Sequence, residues 1–316
     1  MRPAALLALA VLLAAGPAWA YFEQTDVDAR SVALGPSAMA TVNDVSAYHW
    51  NPAALATLSR AQVMFDWSAP WAVDNLSENT LAAGTSRWHT GFAAAWHRLG
   101  IPDVYAEDQF CLAAGRTVLR PRGAGVIDAG ATYKFERIAF QPFDVSGTSY
   151  ALGAMAKGDF DLGARWRTPW RTDISWVMRN ALQPRFELVG GSGGNLQLPR
   201  QELAAAFHWN HESTISVGWA QQPNNSSTLS SGIEILFFNV FAVRSGMKNL
   251  ATIYAAQHQA TLSDPAYHFP NDLQFTGGVG VFHKGYYVDA AAETSHDLGA
   301  SYRATLTVPF GRERAR

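Results

Sequence analysis

Beyond residue 60 the apolar residues recur at every second position, and this period constrains the fold more than any other feature of the chain. Over 214–221, Ile215, Val217 and Trp219 alternate with Ser216 and Gly218. Leu203, Ala205, Phe207 and Trp209 share one parity, while Glu202, His208 and Asn210 share the other. Near the C-terminal end Tyr302, Ala304, Leu306, Val308 and Phe310 alternate with Ser301, Arg303, Thr305 and Thr307. Successive side chains leave a strand on opposite sides, so each such segment has one apolar and one polar face.

Segments of this kind predict fourteen strands, at about 61–68, 80–88, 90–99, 108–118, 124–138, 149–167, 172–179, 200–209, 212–221, 229–237, 240–248, 272–282, 286–294 and 301–310. The segment 149–167 is ambiguous: it is either one strand or a hairpin turning at Lys157-Gly158. Its even positions, among them Phe160, Leu162 and Trp166, stay apolar across Gly158, which favours one strand. The connections then alternate between long and tight, as in bacterial outer-membrane barrels with long extracellular loops and short periplasmic turns. A hairpin at 157–158 would break that alternation. An even strand count also returns the C-terminal end to the periplasmic side.

A secreted β-sandwich would alternate as well, but its polar face would look outward to water. Here the polar parity carries Asp161, Arg165, Arg179, Glu202, Glu234, Arg244, Asp289, Glu293 and Arg303. Side chains that are large and of both signs suit the wet or plugged lumen of a transmembrane antiparallel β-barrel, with the apolar parity facing lipid. Unpaired charges in a confined lumen are costly, so these residues are expected to form a paired network that fills the interior or lines a polar route. Trp67, Trp71, Trp88, Trp170, Trp209, Tyr286 and Tyr287, near strand ends, fit interfacial girdles.

The remaining features exclude several classes. Residues 1–20, one arginine followed by an apolar run and Ala18-Trp19-Ala20, have the form of a secretory signal peptide. The run is shorter than the roughly 20 residues of a spanning helix. The 24 Lys plus Arg against 26 Asp plus Glu leave no basic field for nucleic acid. Cys111 is the single cysteine, and the 9 histidines form no H-x-x-x-H or H-E-x-x-H arrangement, so no disulfide, metal or cofactor is expected. The stretch Gly190 to Asn195, GGSGGN, lacks the Lys and Ser/Thr of a phosphate loop and is expected to be an extracellular loop.

The segment DARSVALGPSAMATVNDVSAYHWNPAALA resembles the N-terminal region of the FadL-like outer-membrane barrels, the superfamily of long-chain fatty-acid transporters, and within it the PorV- and PorQ-like branch and related uncharacterised outer-membrane proteins. The shared pattern is a Gly-rich stretch (Gly35), an Asp-rich one (Asn43-Asp44) and the turn Trp50-Asn51-Pro52-Ala53. FDLGARWRTPWRTDISWVMRNALQP, LPRQELAAAFHW and the last four strands are similar to later segments of that branch, so the likeness covers most of the chain. Gly35-Pro36-Ser37 departs from the usual glycine pair, and 311–316 follow the last aromatic, Phe310, where this class normally ends.

Asn51 can cap a short helix that begins at Pro52, since proline at the first position loses no needed N–H. Residues 21–60 are therefore expected to fold into the barrel as a hatch, with Trp50, Asn51, Pro52 and Ala53 turning the chain from lumen to wall. The resemblance implies either a gate or a structural plug. It also implies two functions: passive transport of hydrophobic or amphipathic small molecules, or a non-transporting barrel that binds secreted proteins through loops at 180–199 and 249–271. A lipid hydrolase would need a Ser–His pair facing lipid. Ser175 and His208 lie on the wrong parity for that, so no enzyme is expected. The expected location is the bacterial outer membrane, with outer-membrane lipid as surroundings.

Overall fold

The computed structural model describes residues 22, 26–145, 148–150, 153–187, 195–223, 227–250, 273–295 and 299–311. The expected signal peptide, the GGSGGN stretch up to 194, most of the 249–271 loop and the tail beyond 311 lie outside them.

Fourteen strands close an antiparallel barrel in which each pairs with its chain neighbours and the first pairs with the last. They are β1 (Ala61–Ala69), β2 (Ser77–Arg87), β3 (Thr90–Ile101), β4 (Tyr105–Leu119), β5 (Val126–Phe140), β8 (Ala154–Arg167), β9 (Thr172–Arg179), β12 (Arg200–His208), β13 (Ser213–Gln221), β14 (Thr228–Phe237), β15 (Phe241–Lys248), β16 (Gln274–His283), β17 (Tyr286–Ser295) and β18 (Gly299–Phe310). Closure occurs in the register Ala61↔Phe310 through Ala69↔Tyr302, which leaves no open edge for lipid to meet. Among the described residues no helix is long and apolar enough to cross a membrane.

The segment expected at 149–167 runs as one strand across Gly158, but it starts at Ala154. Gly153 breaks the backbone with φ 76°, and β7 (Thr148–Tyr150) folds back on β6 (Phe143–Val145) as a separate loop hairpin. A second small hairpin, β10 (Arg185–Phe186) with β11 (Asn195–Leu196), lies in the 180–199 connection. At the opposite end the turns are tight. Trp88-His89 and Lys284-Gly285 are two-residue turns with both φ positive, the geometry that matches strand twist.

The two faces are as the alternation requires. Leu112 is 64% exposed and Cys111, its neighbour, 3%. Phe65, Phe207, Val217, Val279 and Leu306 are exposed on the outer wall, while Asp66, Glu202, Ser216, Asp289 and Thr305 are buried inside. Since an apolar outer face has no favourable contact with water, the barrel spans a bilayer. Trp88, Trp170, Trp209 and Tyr286 form a girdle at the tight-turn end. Tyr287 does not join it. It shares the parity of Asp289 and stacks on Phe282 inside that mouth, with ring centroids 4.6 Å apart.

The hydrophobic core lies in the lumen. Val27, Val32, Met39, Val45, Tyr48, Trp50 and Leu55 of the N-terminal segment pack against Ala82, Ala93, Ala95, Cys111, Ala113, Ala204 and Ala206 of the wall. Apart from Met64 and Val177, the wall's inward positions there are small, and the segment supplies most of the bulk.

Candidate functional site

Residues 26–58 cross the lumen as a chain of short helical turns: an α-helix at Ala29–Leu34, a 3-10 turn at Gly35–Ala40, one helical turn at Ala47–Trp50 and a 3-10 helix at Pro52–Thr57. Asp28 caps the first, accepting from the Arg30 and Ser31 backbone N–H groups at 3.1 and 3.3 Å. Asn51, extended at φ −158°, caps the last by accepting from Ala53 N at 3.1 Å, and Pro52 occupies the first helical position. The short helix that the Asn-Pro pair predicts is thus present, as a 3-10 helix ending at Thr57. The Asn51 Nδ2 donates to Ala164 O in β8 at 3.2 Å, which ties the turn to the wall. Trp50 Nε1 donates to Val27 O at 3.0 Å and closes the segment on itself.

Lumenal charges hold this segment by its backbone and its own charges. Arg179 donates to His49 O at 2.7 Å and Trp50 O at 3.4 Å, and its Nε pairs with Glu202 at 3.0 Å. Arg165 donates to Val42 O at 2.7 Å. On the opposite wall Arg30 grips Glu234 with two bonds of 2.9 and 3.0 Å, and the chain continues through Arg244 to Asp289, each step 2.6 Å. Lys248 bridges Asp26 and Glu293 at 2.7 Å each. Asp161 is held by Lys134 at 2.9 Å, and Arg303 pairs with Asp66 and Glu78 of the wall. Of the nine lumenal charges singled out in the sequence, Arg165, Arg179 and Glu234 touch the segment. Arg244, Asp289, Glu202, Glu293 and Asp161 stand one step behind it, and the ion-pair partners of Arg303, Asp66 and Glu78, belong to the wall.

Two docking features were missed by the sequence reading. Lys134 and Lys248 occupy lumenal parity and complete the network, and the alternation of Lys134 and Glu136 with Tyr133 and Phe135 would have placed the first of them. The other feature is a row of glycines. Gly91, Gly115, Gly130 and Gly163 are cross-strand partners on β3, β4, β5 and β8. A Cβ on any of them would collide with Asn51, Pro52, Ala53 or Leu55. On the far wall Gly232 and Gly246 do the same for Leu34, and Gly218 leaves room for the close approach of Ser37. The signal lay in register, which a list of strands does not provide until they are paired.

Within the docked segment, burial, with help from the neighbouring Asp44 and Asp289 carboxylates, pushes the Asp28 carboxyl up to about 7. Burial and the facing Arg179 push the His49 imidazole well below its ordinary value, so it is neutral. Both shifts favour the neutral form of the group concerned, which lowers the cost of burying Asp28 and His49.

Two cavities flank it. One, of about 250 Å³ on the long-loop side, is lined by Phe22, Pro36 and Trp50 together with Lys134, Arg179 and Arg200. The other, of about 370 Å³ on the tight-turn side, includes Leu58, Trp88, Arg120 and Arg167.

No family model and no curated protein sequence matches the chain. Among solved structures it is similar to the CymD monoaromatic hydrocarbon channel, with a TM-score of 0.56 and 8% identity over 90% of this chain and 99% of that one. It is also similar to a deltaS2 mutant of the TodX monoaromatic hydrocarbon channel, with a TM-score of 0.56 and 10% identity over 85% and 93%. A Pseudomonas aeruginosa FadL homologue gives a TM-score of 0.50 and 12% identity over 85% and 95%. At such identities the likeness establishes the fold alone, a closed outer-membrane β-barrel. None of these three bears on the PorV-like branch.

Proposed function

We propose that this barrel passes small amphipathic or hydrophobic molecules through the outer membrane passively, with residues 26–58 acting as its gate. The observation that carries this reading is a segment held between two cavities by hydrogen bonds, ion pairs and packing on a row of wall glycines, with no disulfide to fix it. The loop-side cavity sets Phe22 and Trp50 beside Lys134, Arg179 and Arg200, a lining that suits an apolar body with a polar or anionic end. The fold shared with the monoaromatic hydrocarbon channels supports the same class of solute.

Trp50, Asn51, Pro52 and Ala53 are assigned the hinge of this gate, and the lumenal charges its latch. The alternative, a barrel that binds secreted proteins, draws no support from a described surface, since 188–194 and 251–271 of the loops assigned to it fall outside the described residues. The test is uptake of a labelled long-chain fatty acid and of a labelled monoaromatic hydrocarbon by cells with and without the assembled barrel. Faster uptake of either with the barrel is expected. Equal uptake of both at matched surface levels of closed barrel overturns the reading.

A further inference from the structure

The wall under the Pro52–Thr57 helix is thin on both sides. Its inner positions, Gly84, Gly91 and Gly115, are filled by Val45, Leu55, Leu58 and Pro52 of the docked segment. On the outer side of the same strands, Ala83, Ala94, Ala114 and Ala131 floor an apolar groove of about 720 Å³ that no described part of the chain fills. Its rim is high, formed by Phe92, Leu112, Tyr133, Phe160 and Phe310. It opens on the lipid face, so whatever occupies it comes from the bilayer.

The groove has a charged end. Following the outward parity toward the tight turns, Thr85 leads to Arg87 and Ala114 leads to Arg116. Arg87, Thr90 and Arg116 are cross-strand partners on β2, β3 and β4, so they form one lateral row. Two strand spacings separate the arginines by about 10 Å, with the Thr90 position between them. The row of Thr85, Phe92 and Ala114 lies two residues deeper, about 7 Å at the rise of an extended strand. Both arginines are exposed. Among the described residues neither has an ion-pair partner, and the Arg87 guanidinium lies 4.2 Å over the Trp88 ring, where an interfacial aromatic is expected.

We propose that this groove is a binding site for one phospholipid of the tight-turn-side leaflet, with an acyl chain along the alanine floor and an anionic headgroup phosphate between Arg87 and Arg116. Two unpaired guanidiniums at headgroup level, one step beyond an apolar trough, match the charge and dimensions of such a lipid, and guanidinium–phosphate bonds are among the stronger charge-assisted ones. A second copy of this chain would have to bury both arginines against its own Arg87 and Arg116 or leave them unpaired, which disfavours it. Bound lipid would complete the wall from outside as the N-terminal segment completes it from inside.

The test is reconstitution of the barrel, purified from the outer membrane, in vesicles of equal parts phosphatidylethanolamine and phosphatidylglycerol. Mild extraction and native mass spectrometry follow, for wild type, Arg87→Gln with Arg116→Gln, and Ala94→Phe with Ala114→Phe. Heat-modifiable gel mobility verifies that each barrel is closed. Wild type is expected to retain one phospholipid with a preference for phosphatidylglycerol. The arginine variant is expected to lose that preference and to retain roughly tenfold less, the equivalent of one charge-assisted contact. The groove-filled variant is expected to retain none. Equal retention by all three, or no lipid on wild type, overturns the proposal. So does a wild-type dimer that the filled groove abolishes, which would assign the groove to a second copy.

Discussion

At the residue scale, Arg179 is the side chain on which the docked segment depends most. Its guanidinium satisfies two backbone carbonyls at the bend, His49 O and Trp50 O, and pairs with Glu202 in the same interior. Replacing it with methionine removes both donors to the bend and one of the two cations that face Glu202, leaving Arg200 as the other. The two carbonyls are then buried without a partner, at about 1–3 kcal/mol each. The amides of 47–58 are expected to exchange with solvent at least tenfold faster in Arg179→Met than in wild type, as read by hydrogen exchange. Arg303→Met, whose partners Asp66 and Glu78 belong to the wall, is expected to leave that exchange near wild type. Equal acceleration in both variants would make the lumenal charges a general filler and remove the case for a specific latch. The sequence made Arg179 legible as a lumenal charge, because parity alone decides which way a strand residue points. Its carbonyl partners were not legible, since nothing local to residue 179 encodes where a segment 130 positions earlier will pass.

At the element scale, the helix of Pro52–Thr57 and the glycine row beneath it depend on each other. The Asn-Pro pair defines the start of the helix locally through a cap and a fixed φ, so the amino-acid sequence alone reveals it. The row Gly91, Gly115, Gly130 and Gly163 exists only once β3, β4, β5 and β8 are in register, so it is a property of pairing rather than of any one strand. Strand ends were the least legible part for a similar reason. The break at Gly153 falls where β7 pairs with β6, a loop interaction that the alternation of Phe160, Leu162 and Trp166 cannot reveal. Adding one methyl tests the cradle. In Gly130→Ala the new Cβ would collide with Pro52 and Ala53, whereas in Gly277→Ala it would meet only the Arg244 carbonyl at 3.7 Å, an ordinary contact. Gly130→Ala is expected to keep heat-modifiable mobility, the mark of a closed barrel, while residues 47–58 become sensitive to protease. Gly277→Ala is expected to match wild type in both assays. A protected segment in Gly130→Ala would mean that wall and helix adjust together, and that the close approach has no part in docking.

At the scale of the whole molecule, the chain makes a barrel whose inner wall is too small to pack on itself and whose core is its own N-terminal segment. A transmembrane barrel gains nothing from burying its outer face in itself, because lipid already solvates that face. The apolar residues of 27–58 can therefore leave water only by entering the lumen, and the lumenal charges then orient them through backbone carbonyls. A rigid plug and a gate share this architecture. They differ in whether the segment must move for a solute to pass. Ser37 of the segment and Ser216 of the wall place their hydroxyl oxygens 2.8 Å apart, close enough for a disulfide if both become cysteine. The decisive measurement is uptake of a labelled hydrophobic solute by cells carrying Ser37→Cys with Ser216→Cys in a Cys111→Ala background, under oxidising and then reducing conditions, with the crosslink quantified by mass spectrometry. Uptake is predicted to fall to the level of cells lacking the barrel when the bond forms and to recover on reduction. Undiminished uptake through a fully crosslinked barrel would show that solute passes without the segment moving, and the gate would have to be given up.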